Sequence, residues 1–477
     1  MAPGGIPEGG GMVGAPPTGG EIGAAVTGSF FLQPAMASAA VRATKVRFKV
    51  VPPGASCEEI AGHARQSSLP AAGFKDGLDV RDPGRSSPPR SRSSPVAAPR
   101  PAWYPKASMH IGFDAKRAFQ NSTGLGNFAR DVLRILAEQR PGNRYVAYGP
   151  RLVAGKVPAG VEARGPDRLF GRAIPSLWRV AGLAAQLRRD RVELFHGLSG
   201  ELPMGIERSG VRSVVTIHDL IFERFPELYP PIDRRIYAWK SRRAAERAGL
   251  VIAVSEQTKQ DLVERYAIRP ERIRVVYQGC HPAFQRAPAP GADDIVARRL
   301  GLPDRYLLSV GTVERRKNLG LVVKALPGLP GIPLLAVGRQ TGYADELRLE
   351  ARRLGVEDRV RFLAGISMED LAALYRRCSV FVYPSIFEGF GIPIIEALFS
   401  GAPVVTTAGG VFPEAAGPGS AYVAPTDVDG LRQTVAALLG DQVRRDAMRA
   451  AGLLHARRFT DQAIAEGLSN VYQEVSG

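Results

Sequence analysis

The stretch Val380-Phe381-Val382-Tyr383-Pro384-Ser385-Ile386-Phe387-Glu388-Gly389-Phe390-Gly391-Ile392-Pro393-Ile394-Ile395-Glu396-Ala397-Leu398 changes its period part-way along. The apolar run from Val380 to Pro384 predicts a buried parallel strand, and Ile394, Ile395, Ala397 and Leu398 then recur at helical spacing. A glycine-rich turn joins them, so the stretch reads as strand, loop and helix. Gly389 and Gly391 would let bare backbone N–H groups approach a ligand at the helix N-terminus, where the macrodipole and unsatisfied donors favour an anion. Glu388 in the loop and Glu396, about two turns later, are expected to look into one cleft. Carboxylates suit hydroxyls and amides suit phosphates, and a sugar nucleotide carries both. A lone glycine-rich turn, however, is as often just a connection.

The 477 residues exceed what one hydrophobic core usually supports, which predicts two domains and added segments. The hydrophobic content of 45% is that of a globular chain, and no apolar run reaches the roughly 18 residues of a spanning helix. Cys57, Cys280 and Cys378 are far apart, odd in number and without metal-ligand spacing. That usage points to a reducing cytoplasm and away from a disulfide scaffold or a zinc site. The net charge of +17 suits nucleic acid, anionic lipid or an anionic substrate. No nucleic-acid motif accompanies it, and nucleic acid is set aside as a partner.

Along the chain, residues 1–107 are dominated by Gly, Pro, Ala and Ser, with a low-complexity run at 85–95, and are expected to be a disordered extension. The apolar patch at 22–40 follows acidic rather than basic residues, unlike a secretory signal. The alternating segment 45–51 has no evident partner strand. Ordered structure is expected from Met109. There a short strand leads through Ser122-Thr123-Gly124-Leu125-Gly126-Asn127 into a helix with Phe128, Val132, Leu133, Ile135 and Leu136 on one face.

Strands and helices then alternate: strands at 144–149, 192–195, 213–217, 250–254 and 273–277, with helices at 176–189, 233–248 and 256–266. This is the pattern of a parallel sheet with helices on both faces. Ligands of such sheets lie beyond the carboxyl ends of the strands, the rim where His196 and His218-Asp219 are expected. A Pro/Ala/Gly linker at 287–291 opens a second alternating series. Its first strand, 305–311, feeds the basic loop Thr312-Val313-Glu314-Arg315-Arg316-Lys317-Asn318; later come Arg339 behind a strand and a second glycine loop, Gly409-Gly410-Val411-Phe412-Pro413-Glu414. The expected partition is 1–107 extension, 108–290 acceptor-side domain, 291–460 nucleotide-sugar-binding domain and 461–477 a helix crossing back to the first.

Phe387-Glu388-Gly389-Phe390-Gly391 through Glu396, followed by Gly401-Ala402-Pro403-Val404-Val405, resembles the Glu-x7-Glu signature of the retaining glycosyltransferases of family 4. Thr216-Ile217-His218-Asp219-Leu220 is similar to that family's His-Asp motif, Gly124-Leu125-Gly126 to its N-terminal glycine loop, and Arg316-Lys317-Asn318 to its Arg-Lys-Asn loop. The likeness runs from Met109 to the C-terminus, leaves the first 108 residues unmatched, and looks most like mannosyl- and rhamnosyl-transferring members of O-antigen or capsule assembly. Two positions depart from it. Asn127 stands where Arg or His is common, and Thr312 stands where many members carry Arg, leaving Arg339 or Arg315 to supply that charge.

The resemblance implies two Rossmann-like parallel-sheet domains facing across a cleft, the B-type glycosyltransferase fold. It implies retaining, metal-independent transfer of a hexosyl group, mannosyl or similar, from a nucleoside-diphosphate sugar to a hydroxyl of a glycan or lipid-linked acceptor. His218, Lys317 and Glu388 would be catalytic. Gly124, Gly126, Arg316, Arg339, Gly389, Phe390, Gly391 and Glu396 would hold the donor, with Glu396 on the ribose; no metal or cofactor is expected. The basic and aromatic segment 234–243 adds an expected peripheral contact with anionic membrane at the inner face of the cell membrane. The alternatives are a nucleotide-sugar epimerase of the same fold and a non-catalytic glycan- or nucleotide-binding protein, and intact Glu388, Lys317 and Glu396 weigh against the second. Truncation to Met109 is expected to leave a folded, active protein in expression and transferase assays; insoluble or inactive product would show that residues 1–107 are needed.

Overall fold

The computed structural model describes residues 108–121, 124–167 and 174–477; the expectations for 1–107 lie outside the described residues. Strands β1 (His110–Asp114), β2 (Arg144–Tyr148), β3 (Val161–Arg164), β4 (Leu194–Gly197), β5 (Arg212–Ile217), β6 (Leu250–Ala253) and β7 (Ile273–Val275) form one sheet, ordered β3-β2-β1-β4-β5-β6-β7. Strands β8 (Leu307–Val310), β9 (Leu334–Val337), β10 (Val360–Leu363), β11 (Val380–Tyr383), β12 (Val404–Thr407) and β13 (Ala421–Val423) form the other, ordered β10-β9-β8-β11-β12-β13. Neighbouring strands pair in parallel throughout. Helices cover both faces, which is why inner strands such as β6 and β11 are apolar runs buried along their whole length. These are the two Rossmann-like domains of the B-type glycosyltransferase fold.

In each sheet the strand order reverses once between non-consecutive neighbours, β1 beside β4 and β8 beside β11. Outside the carboxyl ends of such a pair the connecting loops diverge and leave a crevice. The helix Gly124–Gln139 buries Phe128, Val132, Leu133, Ile135 and Leu136 in the core of the first sheet. Gly126 is required where this helix starts, because a Cβ there would lie 1.9 Å from the Asn121 carbonyl oxygen. Asn127 takes part in the same turn, accepting from Arg130, which also donates to the Ala118 and Asn121 carbonyls. The terminal helix Asp461–Ser476, although it follows the second sheet in sequence, places Ile464, Ala465, Leu468, Val471 and Tyr472 in the core of the first.

The structure differs from the sequence-based expectation at several points. Strand β3, Val-Glu-Ala-Arg, and the helix Ala292–Leu300 are additional elements; the first is an edge strand without an apolar run, and the second buries no residue fully. The helix expected over 176–189 carries a π-bulge at Trp178–Gly182. The strand expected at 192–195 is shifted to Leu194–Gly197, which draws His196 off the rim and into the sheet. There His196 is fully buried, with Nδ1 2.7 Å from the Tyr472 hydroxyl and Nε2 2.8 Å from Thr216 Oγ1, and burial drives its pKa down to about 3. It is a core histidine tying the terminal helix to β4 and β5.

Candidate active site

The loops after β8 and β11 build the site, and they are stitched to each other before any ligand arrives. Ile386 N–H donates to the Arg316 carbonyl at 2.9 Å, and the Arg316 guanidinium donates to the Phe387 carbonyl at 2.6 Å. Asn318, in the left-handed conformation that Asn tolerates (φ 56°), donates its side-chain amide to the carbonyls of Pro384 at 3.1 Å and Pro425 at 2.8 Å. At the centre sits Glu388, only 8% exposed. Its Oε1 accepts from Lys317 Nζ at 2.6 Å, Ser385 Oγ at 2.5 Å and Tyr383 OH at 3.1 Å, and its Oε2 lies 2.9 Å from the Arg316 guanidinium. Burial works against the charge, but Lys317 and Arg316 outweigh it and hold the carboxyl down to about 2. Gly391 ends the loop at the N-terminus of the helix Ile392–Phe399.

Glu396 lies on that helix but shares no hydrogen-bond partner with Glu388. It accepts from Tyr375 OH at 2.9 Å, and burial, with Asp131 adding to it, raises its carboxyl to about 7. The loop turns Glu388 toward the two cations and the helix turns Glu396 toward Tyr375. The ring of Phe390 is buried, stacked on Tyr277 at 5.7 Å. Arg339 is exposed beyond β9, and Arg315 pairs with Glu346 at 2.5 Å on the surface. Thr312, Gly311, Lys317 and Tyr383 line one small pocket.

From the first sheet, His218 and Asp219 follow β5 and abut the Glu388 loop. Gly389 is required here, since a Cβ would lie 2.0 Å from the His218 carbonyl oxygen. The imidazole of His218 is fully engaged: Nε2–H donates to the Leu198 carbonyl and Nδ1 accepts from Gln278, both at 2.8 Å. Burial lowers its pKa to about 4, which favours the neutral ring. Its carbonyl, not its ring, meets the donor loop. Gly124 begins the helix Gly124–Gln139 with open space around it. Sequence reasoning passes over Tyr383, Ser385, Tyr375 and Gln278, because a Tyr in an apolar run or a Ser in a turn carries no periodic signal.

Residues 123–284 match the model of Glycosyltransferase Family 4, and residues 294–454 match that of Glycosyl transferases group 1. The chain belongs to the family 4 glycosyltransferases. Among its relatives, this glycosyltransferase is 29% identical to the O-antigen chain mannosyltransferase B of Escherichia coli over 373 residues, 74% of this chain and 96% of the relative. It is 28% identical over 304 residues to the serotype-specific mannosyltransferase WbdA of Escherichia coli, 59% of this chain but only 36% of that longer protein. The fold is shared with Anabaena Alr3699/HepE in complex with UDP, at a TM-score of 0.60 and 18% identity over 77% of this chain and 100% of that one. It is also shared with WaaG, a glycosyltransferase involved in lipopolysaccharide biosynthesis, at a TM-score of 0.58 and 20% identity over 76% and 99%. No helix of the described residues is long and apolar enough to cross a membrane, and no group of three or more His, Cys, Asp or Glu among them is placed to hold a metal ion.

Because Glu388 titrates below its ordinary value of 4.5 in the folded chain, the stability it contributes is present above that pH and is lost as pH falls toward about 2. In denaturant unfolding, the double variant Lys317→Ala/Glu388→Gln is expected to lose about 1–3 kcal/mol less than the sum of the two single variants. Additivity within about 0.5 kcal/mol would mean that the pair is not formed in solution.

Proposed function

We propose that this glycosyltransferase moves a hexosyl group, mannosyl or similar, from a nucleoside-diphosphate sugar to a hydroxyl of a glycan or lipid-linked acceptor, with retention of anomeric configuration. The observation that carries the reading is the Arg316–Lys317 dication beside the N-terminus of the Ile392–Phe399 helix, with Glu388 between the cations. A sugar diphosphate already has a good leaving group, so the enzyme's task is to stabilise charge on the departing phosphate and to hold the acceptor. Lys317, Arg316 and the backbone amides of Phe390 and Gly391 supply the first, which is why no metal or cofactor is written into the scheme. The bond from the anomeric carbon to the diphosphate oxygen breaks, the acceptor oxygen bonds to the same face, and the departing phosphate oxygen takes the acceptor proton. Glu388 contacts the transferred sugar and Glu396 the ribose. The mannosyl preference is supported by the O-antigen mannosyltransferases among the relatives.

A peripheral membrane contact and a place at the cytoplasmic face belong to the same proposal. In the helix Pro231–Arg247, Tyr237 packs inward on Phe222 and Tyr229, whereas Ile232, Ile236 and Trp239 are 72%, 41% and 56% exposed beside Arg235 and Arg242. An outward stripe of apolar and cationic side chains suits anionic headgroups.

Hydrolysis of a panel of nucleotide sugars without acceptor, followed by transfer assays with the active donor, tests the reaction; no turnover of any nucleotide sugar would refute it. With that donor, Glu396→Ala is expected to raise KM and Glu388→Ala to lower kcat, each by roughly ten- to a hundredfold for one lost charged hydrogen bond. The reverse pattern would exchange the two assignments. Cosedimentation with anionic vesicles should occur at low ionic strength and weaken as salt rises; no binding at low salt, or binding indifferent to lipid charge, would remove the membrane contact.

A further inference from the structure

We propose that Ser255 and Glu414 are positioning residues that seat the donor loop by locking it onto the first domain, with the N-terminus of the helix Glu256–Tyr266 as the shared anchor. The inference rests on the reading above, in which the amides of that loop serve the diphosphate.

Ser255 is fully buried and caps its own helix, its oxygen accepting from Thr258 N–H at 3.0 Å. The same hydroxyl donates across the cleft to the carbonyl of Gly389 at 2.7 Å. Thr258 Oγ1 stands 3.2 Å from the His218 carbonyl and 3.4 Å from that of Gly389, so one turn of helix holds both chain segments that meet at the glycine. In a planar trans peptide the C=O and the following N–H point in opposite directions. Fixing the Gly389 carbonyl toward Ser255 therefore turns the Phe390 N–H away from the first domain, and among the described residues no group accepts that N–H. The orientation of an amide available to an anion is thus set by a side chain of the other domain.

A second contact closes on the same helix end. Both carboxylate oxygens of Glu414, from the short helix Phe412–Ala416 of the second domain, lie within 2.9 and 3.1 Å of the Glu256 N–H, one of the donors that a helix start leaves without an internal partner. Glu414 is itself held from behind, its carbonyl bonded to His455 Nε2 at 3.0 Å. Between the two contacts Phe390 stacks on Tyr277 of the first domain, the planes 15° apart. Ser255, Glu256 and Tyr277 thus receive the Gly389–Phe390 segment and Glu414 together. With the domains apart, each would face water, and the loop would lose the partner that orients it.

The test uses hydrogen exchange by mass spectrometry on the full chain, together with kcat and KM. Glu414→Ala is expected to speed exchange not only at residues 256–259 but also at 386–391, where the side chain makes no direct contact, and to lower kcat about tenfold, the size of one charge-assisted hydrogen bond. Ser255→Ala should speed exchange at 386–391 as well. Glu414→Gln, which keeps an acceptor for the Glu256 N–H, should recover most of both effects, and Glu264→Ala at the far end of the same helix should change neither. Faster exchange confined to 256–259, or an unchanged kcat in Glu414→Ala, would make Glu414 a local cap and overturn the coupling. The exchange measurement needs no substrate, so a failure of the coupling is distinguishable from a failure of the transfer reaction.

Discussion

The carboxylate of Glu388 is nearly removed from water, and an unpaired charge in such a place would cost several kcal/mol; the loops after β8 and β11 are arranged around meeting that cost. Lys317 and Arg316 bracket it, Ser385 and Tyr383 fill its remaining acceptor directions, and Asn318 and the Arg316 backbone tie the two loops into one body. Because the cations are already partnered, they hold their geometry without a ligand. Preorganised charge of this kind is worth more than mobile charge.

The same economy appears where the two domains meet. The His218 ring is hydrogen-bonded to the Leu198 carbonyl and Gln278, and its backbone carbonyl lies against Gly389. His196 is taken further inward, where it joins the terminal helix to the sheet through Tyr472. With both histidines neutral, the polar character of the cleft rests on Glu388, Arg316, Lys317, Glu396 and backbone groups.

The alternation of apolar strands with amphipathic helices is legible from residues alone, because strands buried on both faces leave long Val/Ile/Leu runs and helices leave a 3.6-residue stripe. Elements lacking that contrast are not legible: β3 is a half-exposed edge strand, and the helix Ala292–Leu300 buries no residue fully. The Glu388, Lys317 and Gly389 group stands out by local sequence, since each lies in a glycine-rich or basic loop at a strand's end. By itself, then, the sequence determined the two parallel-sheet domains, the loops that carry the site, and the membership that the motifs announce. Only the tertiary structure decided that Glu396 turns to Tyr375, that Phe390 packs on Tyr277, that the His218 carbonyl lies against Gly389, and that Ser255 and Glu414 reach across the cleft. Ser255 and Glu414 lie 134 and 25 residues from Gly389 along the chain. The physical reason is that periodicity reports which face of an element is buried, whereas the partner of a polar atom is fixed by which distant segment is brought within about 3 Å of it.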